Sequence, residues 1–254
     1  MRLFGLIGYP LGHSFSASFF KEKFEKEGLD DRYQNFPIES VDLFEELVKS
    51  YPELKGINVT IPYKETIIPY LDALSKTARA VKAVNTICFC KKTGRLGLIG
   101  HNTDVIGFEK SLNEHLTTIP EKALVLGTGG SSKAVMHVLS EMNIHITHVS
   151  RQRTDGKITY SDLDAKMVSE HHIIVNTTPL GMHPDTDAAP DIPYDGIGEK
   201  HLVFDLVYNP PATKFLELAK SKGATTVNGQ DMLVYQAEAS WEIWNRNASE
   251  TLDL

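Results

Sequence analysis

Hydrophobic positions along the first hundred residues follow two alternating rhythms. Residues 3–8 form a short apolar run closed by Gly8, Pro10 and Gly12, the pattern of a strand entering a turn. Phe15, Phe19, Phe20 and Phe24 then recur at helical spacing, with Lys21, Glu22, Lys23 and Glu25 on the intervening positions. Gly28 closes that helix. Residues 32–37 predict a strand. Leu43, Phe44, Leu47 and Val48 predict a helix within 42–49, and 56–61 is strand-like up to Pro62. Apolar runs at 83–90 and 96–99 flank a Lys-Lys-Thr-Gly turn at 91–94.

A second unit begins near residue 105. The buried-strand pattern at 123–126 runs into a glycine-rich turn and then an amphipathic helix with Ala134, Val135, Val138 and Leu139 on one face. Short apolar runs at 144–149, 173–175, 202–206 and 224–227 alternate with helical segments, among them 213–221. Residues 231–248 read as one long helix. Strands alternating with helices predict an α/β fold with a parallel sheet covered on both faces. The proline- and aspartate-rich stretch 183–198 reads as a surface loop and the edge of a lid.

Composition narrows the function classes. The chain has 254 residues, 26 Lys+Arg against 33 Asp+Glu, a net charge of −7, and 41% hydrophobic residues. That suits a globular protein of one or two domains with a real core. The acidic balance disfavours nucleic acid, which needs a basic face. It leaves room for small anions held by local cations. The two cysteines, Cys88 and Cys90, are too awkwardly spaced on one strand for a good disulfide, and read as reduced thiols in a reducing, cytoplasmic setting. No apolar run approaches a membrane span, and Pro10 and Gly12 interrupt the only signal-like stretch. The Asn-x-Ser/Thr matches at Asn58, Asn176 and Asn247 read as coincidence. The ten histidines show no metal-ligand spacing, and no metal is expected.

The chemistry-bearing positions cluster at strand ends. Gly127, Gly129 and Gly130 lie between a strand and a helix, where bare backbone and a helix N-terminus accept a pyrophosphate. The alternative is a plain tight turn. The next strand ends at Ser150-Arg151-Gln152-Arg153, without the acid that would hold a ribose 2′-hydroxyl. Arg151 and Arg153 suit a 2′-phosphate, which favours NADP over NAD. In the first unit, Ser14 and Ser16 sit at a helix start, as caps or as hydroxyls offered to a carboxylate. Asn58 and Thr60 end a strand just before Lys64. Asn85 and Thr86 are polar positions in an apolar strand that need partners. Lys64 and Asp104 suit an acid–base pair, with a surface salt bridge as the alternative.

Apart from Ser150, Arg151 and Arg153, these residues fall within segments that together resemble the NADP-dependent shikimate dehydrogenases. The segments are 8–16 (GYPLGHSFS), 58–64 (NVTIPYK), 83–86 (AVNT), 100–104 (GHNTD), 127–131 (GTGGS), 176–182 (NTTPLGM), 205–210 (DLVYNP) and 229–236 (GQDMLVYQ). They run in family order across nearly the whole chain. The resemblance implies reversible reduction of 3-dehydroshikimate to shikimate by NADPH, in aromatic amino-acid biosynthesis. Lys64 matches the family's catalytic lysine and Asp104 its partner. Ser14 and Ser16 match carboxylate binders. Thr60, Asn85 and Gln236 match groups that hold the carboxylate end or ring hydroxyls, and Tyr208 is a further carboxylate contact. With the cofactor go Gly127, Gly129, Gly130, Ser131, Ser150, Arg151, Arg153, Thr177 and Gly229. Two domains are implied. Residues 1–104 and 236–254 would form an α/β substrate domain, and 105–235 a Rossmann-type NADP domain, with the chemistry in the cleft. The small-molecule substrate is the expected partner, in a monomer or homodimer. The chain departs from the family where Asn-Arg-Thr is common: it has Ser150-Arg151-Gln152, with Arg153 in place of a spaced second arginine. The alternatives are an NAD-dependent quinate/shikimate dehydrogenase and a non-catalytic NADP sensor.

Overall fold

The computed structural model describes residues 1–12, 14–92 and 95–246. The chain forms two compact units, Met1–Ile106 with Val234–Leu254, and Gly107–Leu233. The first contains β1 (Leu3–Gly8), α1 (Phe15–Glu27), β2 (Arg32–Pro37), α2 (Phe44–Ser50), β3 (Leu54–Val59), β4 (Ala73–Leu74), α3 (Lys76–Val81), β5 (Thr86–Lys92) and β6 (Arg95–His101). The chain leaves this unit along α4 (Asp104–Asn113). The second contains β7 (Lys122–Leu126), α5 (Gly130–Glu141), β8 (His145–Ser150), β9 (Ile158–Thr159), α6 (Ala165–Glu170), β10 (Ile173–Asn176), β11 (Leu202–Asp205), α7 (Lys214–Ser221) and β12 (Thr225–Val227). The return runs along α8 (Gln230–Asn245).

The second unit has the parallel sheet that the alternating pattern predicts, in the order β12-β11-β10-β7-β8-β9. The first unit corrects that expectation. Its sheet, β2-β1-β3-β5-β6-β4, is mixed, with β5 antiparallel to both β3 and β6. A short connection makes β5 and β6 a hairpin, and a hairpin must be antiparallel. Part of the turn expected at 91–94 lies outside the described residues, as do Asn247 and the end of the helix expected at 231–248.

Local chemistry sets the boundaries of α1. The Ser14 hydroxyl accepts from the Ala17 amide, and Gly28 closes the helix at φ +65°. The Phe20 and Phe24 rings are buried with Phe4, Ala237, Ile243 and Trp244, where each large ring contributes about 2–3 kcal/mol of burial. Trp244 stacks on Phe4 at 4.8 Å and donates from Nε1 to the Ile87 carbonyl at 3.0 Å. It also explains Gly56, where an added Cβ would lie 2.1 Å from the indole nitrogen. Return of α8 to the first sheet thus depends on a glycine on β3.

The stretch 183–198 begins as the surface loop its composition suggests, with residues 183–185 exposed, but its later part is anchored. Ile192 and Ile197 are buried in the second unit's core beside Leu163 and Val168. A Cβ at Gly196 would lie 2.3 Å from the Ala165 carbonyl oxygen. Two isoleucines among the aspartates and prolines pin this segment to α6. Asn58 and Asn176 are both buried and hydrogen-bonded through their amides, so neither can be a glycosylation acceptor. No helix among the described residues is long and apolar enough to cross a membrane.

Candidate functional site

In the first unit, the polar positions at the strand ends form one hydrogen-bonded cluster. Lys64 follows β3 and Asp104 opens α4. Lys64 Nζ donates to Asp104 Oδ2 at 2.6 Å, with the two side chains 14% and 7% exposed, so this is no surface salt bridge. The other carboxylate oxygen, Oδ1, accepts from Asn85 Nδ2 at 2.8 Å. Asn85 Nδ2 also donates to Thr103 Oγ1 at 2.9 Å, and Asn85 Oδ1 accepts from the Thr103 amide at 2.7 Å. The Asn85 amide is therefore occupied with orienting Asp104 and the turn before it. Gln236, on α8, approaches Asn85 Nδ2 through Oε1 at 3.4 Å.

Beneath this lies a layer that sequence reasoning missed in part. Asn58 Nδ2 donates to the Asn85 carbonyl, Thr86 Oγ1 and Ser240 Oγ at 3.0–3.2 Å. The Tyr33 hydroxyl donates to Asn58 Oδ1 at 2.8 Å and hydrogen-bonds Ser16, which ties Ser16 into the same cluster. Burial pushes the Tyr33 phenol far up, so it stays a neutral donor. Thr86 is visible in the sequence as a polar residue in an apolar strand, and Asn58 as a polar residue at a strand end. Tyr33, Thr103 and Ser240 carried no such signal, because each becomes polar-network material only through its partner. Ser14 Oγ caps α1 and donates to Asn35 Oδ1 at 2.8 Å. The Thr60 amide donates to the Ile7 carbonyl at 2.9 Å, which joins the ends of β3 and β1.

The second unit builds its surface from backbone. Gly127 follows β7 at φ +107°, and an added Cβ would lie 2.7 Å from Thr177 Oγ1. Both the shape and the space demand glycine. Thr177 is held against the same turn, its amide and hydroxyl both donating to the Leu126 carbonyl at 2.9 and 2.7 Å. Gly129 precedes α5 with no capping side chain, and Gly130 and Ser131 form its first turn. A helix start without a side-chain cap, beside bare backbone, fits a pyrophosphate. His148 Nε2 lies 2.6 Å from the Gly127 carbonyl, and burial lowers its pKa.

At the end of β8, Ser150 is buried and its hydroxyl accepts from the Gln152 amide at 3.2 Å. Arg151 is exposed and makes no ion pair among the described residues. Arg153 pairs with Asp162 Oδ1 at 2.5 Å, so its guanidinium already has an anionic partner. The structure thereby adds a physical difference between the two arginines, since only Arg153 is held by a carboxylate. Gly229 lets two loops meet, since an added Cβ would lie 2.2 Å from the Leu206 carbonyl oxygen. Tyr208 lies on the loop after β11, half-buried.

That loop rests on a buried carboxylate that the sequence did not single out. Asp205 accepts from Thr213 Oγ1 at 2.6 Å, Asn176 Nδ2 at 2.9 Å and the Val207 amide at 3.0 Å. With no cation beside it among the described residues, burial raises its pKa to about 6. It joins the loops after β10 and β11, at the carboxyl ends of the parallel strands, where open α/β sheets bind ligands. Glu114, His115 and Asp231 also place three ligand atoms close together, but all three are exposed.

Residues 6–87 match the family model described as the shikimate dehydrogenase substrate binding domain. A protein of Methanococcus maripaludis named shikimate dehydrogenase (NADP(+)) is 38% identical, covering 96% of this chain and 91% of its own. A protein of the same name from Methanosphaera stadtmanae is 36% identical, covering 94% and 90%. Among solved structures, shikimate 5-dehydrogenase of Thermus thermophilus, in complex with NADP(H) and shikimate, superposes with a TM-score of 0.84. It is 30% identical and covers 98% of this chain and 96% of its own.

Proposed function

The chain belongs to the shikimate dehydrogenase family, and on that premise we propose that it reduces 3-dehydroshikimate to shikimate reversibly with NADPH, in aromatic amino-acid biosynthesis. The observation that carries this reading is Lys64 Nζ held at 2.6 Å by an aspartate whose other oxygen is fixed by Asn85. The first unit is the substrate domain and the second the NADP domain.

When bound, NADPH supplies the hydride that the ketone carbon accepts. The protein's task at the ketone oxygen is electrostatic and protic. Lys64 carries a proton on Nζ, stabilises the alkoxide as negative charge develops, and then protonates it. Asp104 Oδ2 holds that ammonium in place, and Asn85 keeps the carboxylate from rotating. In the oxidative direction, Nζ takes the hydroxyl proton back. Ser14, Ser16, Thr60, Gln236 and Tyr208 pair with the carboxylate and ring hydroxyls, because discrimination between polyols requires each substrate oxygen to find a partner.

The cofactor's parts meet matching groups. Gly127, Gly129, Gly130 and Ser131 hold the pyrophosphate, with Thr177 and Gly229 shaping the surrounding backbone. Arg151 takes the 2′-phosphate, with Ser150 at the strand end and Arg153 secondary because of Asp162. The free thiols Cys88 and Cys90 suit a cytoplasmic setting. Incubation with 3-dehydroshikimate and NADPH deuterated at the transferable position tests the assignment. We expect shikimate carrying deuterium on the carbon that gains the hydroxyl. Unlabelled product, or none, would contradict it.

A further inference from the structure

Cys88 and Cys90 are two residues apart on β5, so their side chains leave the same face of the sheet. Their sulfurs lie 3.3 Å apart. Phe89, between them, packs into the core on the opposite face. Cys88 is buried beside Phe4, Phe20 and Trp244, while Cys90 is half-buried at the margin of that cluster. Gly97 on β6 is directly opposite Cys90 and carries no side chain to cover it. The pair is thus a prearranged dithiol whose outer thiol is the less buried of the two.

We propose that Cys88 and Cys90 form a chelating site for a soft trivalent centre, the ligand class represented by organic arsenicals R–As=O. The geometry selects this class over two others. A disulfide needs sulfurs about 2.05 Å apart, and two positions along an extended strand put the Cα atoms roughly 6.6 Å apart, at the upper limit for such a bond. A bridging atom with bonds of about 2.3 Å to sulfurs at this separation subtends roughly a right angle, well short of the ~109° of tetrahedral zinc. A right angle suits a pyramidal centre with a lone pair. On binding, two arsenic–sulfur bonds form and the arsenic–oxygen bond breaks. The oxygen leaves as water with the two thiol protons; arsenic stays trivalent and nothing is oxidised. Attack begins at Cys90, the more open thiol, because burial holds the Cys88 thiol well above its ordinary range.

The test uses the whole protein with phenylarsine oxide at one equivalent, read by intact mass and by thiol titration after denaturation. The chain has only these two cysteines, so both readouts are unambiguous. We expect one arsenical added with loss of one water, both thiols masked, and release by a small dithiol. Cys90→Ser and Cys88→Ser should each bind about a hundredfold more weakly, because the second bond in the wild type forms intramolecularly. Two thiols still titratable in the treated wild type would overturn the proposal. So would equal retention by Cys90→Ser, a substitution at the half-buried position that leaves the core cysteine in place.

Discussion

In the first unit Lys64 and its neighbours are polar side chains bonded to each other; in the second the glycine turn presents bare backbone, and Arg151 is exposed. Lys64, Asp104, Asn85, Thr103, Thr86, Asn58, Ser240 and Tyr33 form a continuous buried chain of donors and acceptors. Gly127 and the uncapped start of α5 offer amide groups whose placement depends on backbone conformation alone. The difference follows from the ligands proposed for each. A polyol carboxylate with a reacting ketone needs several side chains held in register and a proton in a fixed place. A pyrophosphate needs N–H groups and close approach, which glycine provides. The first unit should therefore respond to substitution through turnover, and the second through cofactor affinity.

The sharpest break in that comparison is at Lys64. Lys64→Ala should lower turnover by roughly a thousandfold, the range of a lost general acid. The shikimate dissociation constant, measured by equilibrium titration, should move far less. Unchanged turnover would remove Lys64 from the chemistry. Asn85→Ala should cost turnover roughly a hundredfold by freeing the Asp104 carboxylate to rotate, since a small misplacement of a catalytic group has effects of this size. An effect confined to KM would show that Asn85 serves binding only.

In the second unit, Gly127→Ala should raise the NADP KM at least tenfold and destabilise the protein by about 2 kcal/mol, from the positive φ and the clash with Thr177. Kinetics and a thermal scan on one variant give both numbers. Arg151→Ala should raise the NADP KM by roughly tenfold, the size of one lost charge-assisted contact, and leave NAD nearly unaffected. Arg153→Ala should do less, because Asp162 already holds that side chain. Equal effects would show that the ion pair opens for the cofactor.

In pH dependence the two units differ in sign. Burial lowers the His101 pKa from 6.5 to about 4. The unfolded chain takes this proton first, so acidification from pH 6.5 to 4 costs stability, up to about 3 kcal/mol. Burial raises the Asp205 pKa from 3.8 to about 6. Here the folded state takes the proton first, so acidification from pH 6 to 4 adds stability, up to about 3 kcal/mol. Urea melts at pH 4.5 and 7 should show His101→Asn less acid-sensitive than wild type and Asp205→Asn more so. The same sign for both variants would contradict this pairing.

Much of this was legible in the residue pattern. Helical spacing located α1 and α5, polar positions in an apolar strand marked Asn85 and Thr86, and a strand end marked Asn58. What escaped depends on three-dimensional partners. Nothing in the sequence shows that Asp162 holds Arg153 while leaving Arg151 exposed. The anchoring of the later part of 183–198 shows only once Ile192 and Ile197 are seen in the core. Asp205 reads as one more acid until three donors from separate segments converge on it. The mixed first sheet escaped because periodicity identifies strands and not their direction.

We propose that this NADP-dependent shikimate dehydrogenase carries out its proton chemistry at Lys64. The most direct test is the steady-state rate at 340 nm with shikimate or quinate against NADP or NAD. We predict rapid reduction of NADP with shikimate, and much lower rates with quinate and with NAD. Absence of an absorbance change with either substrate and either cofactor would contradict the account.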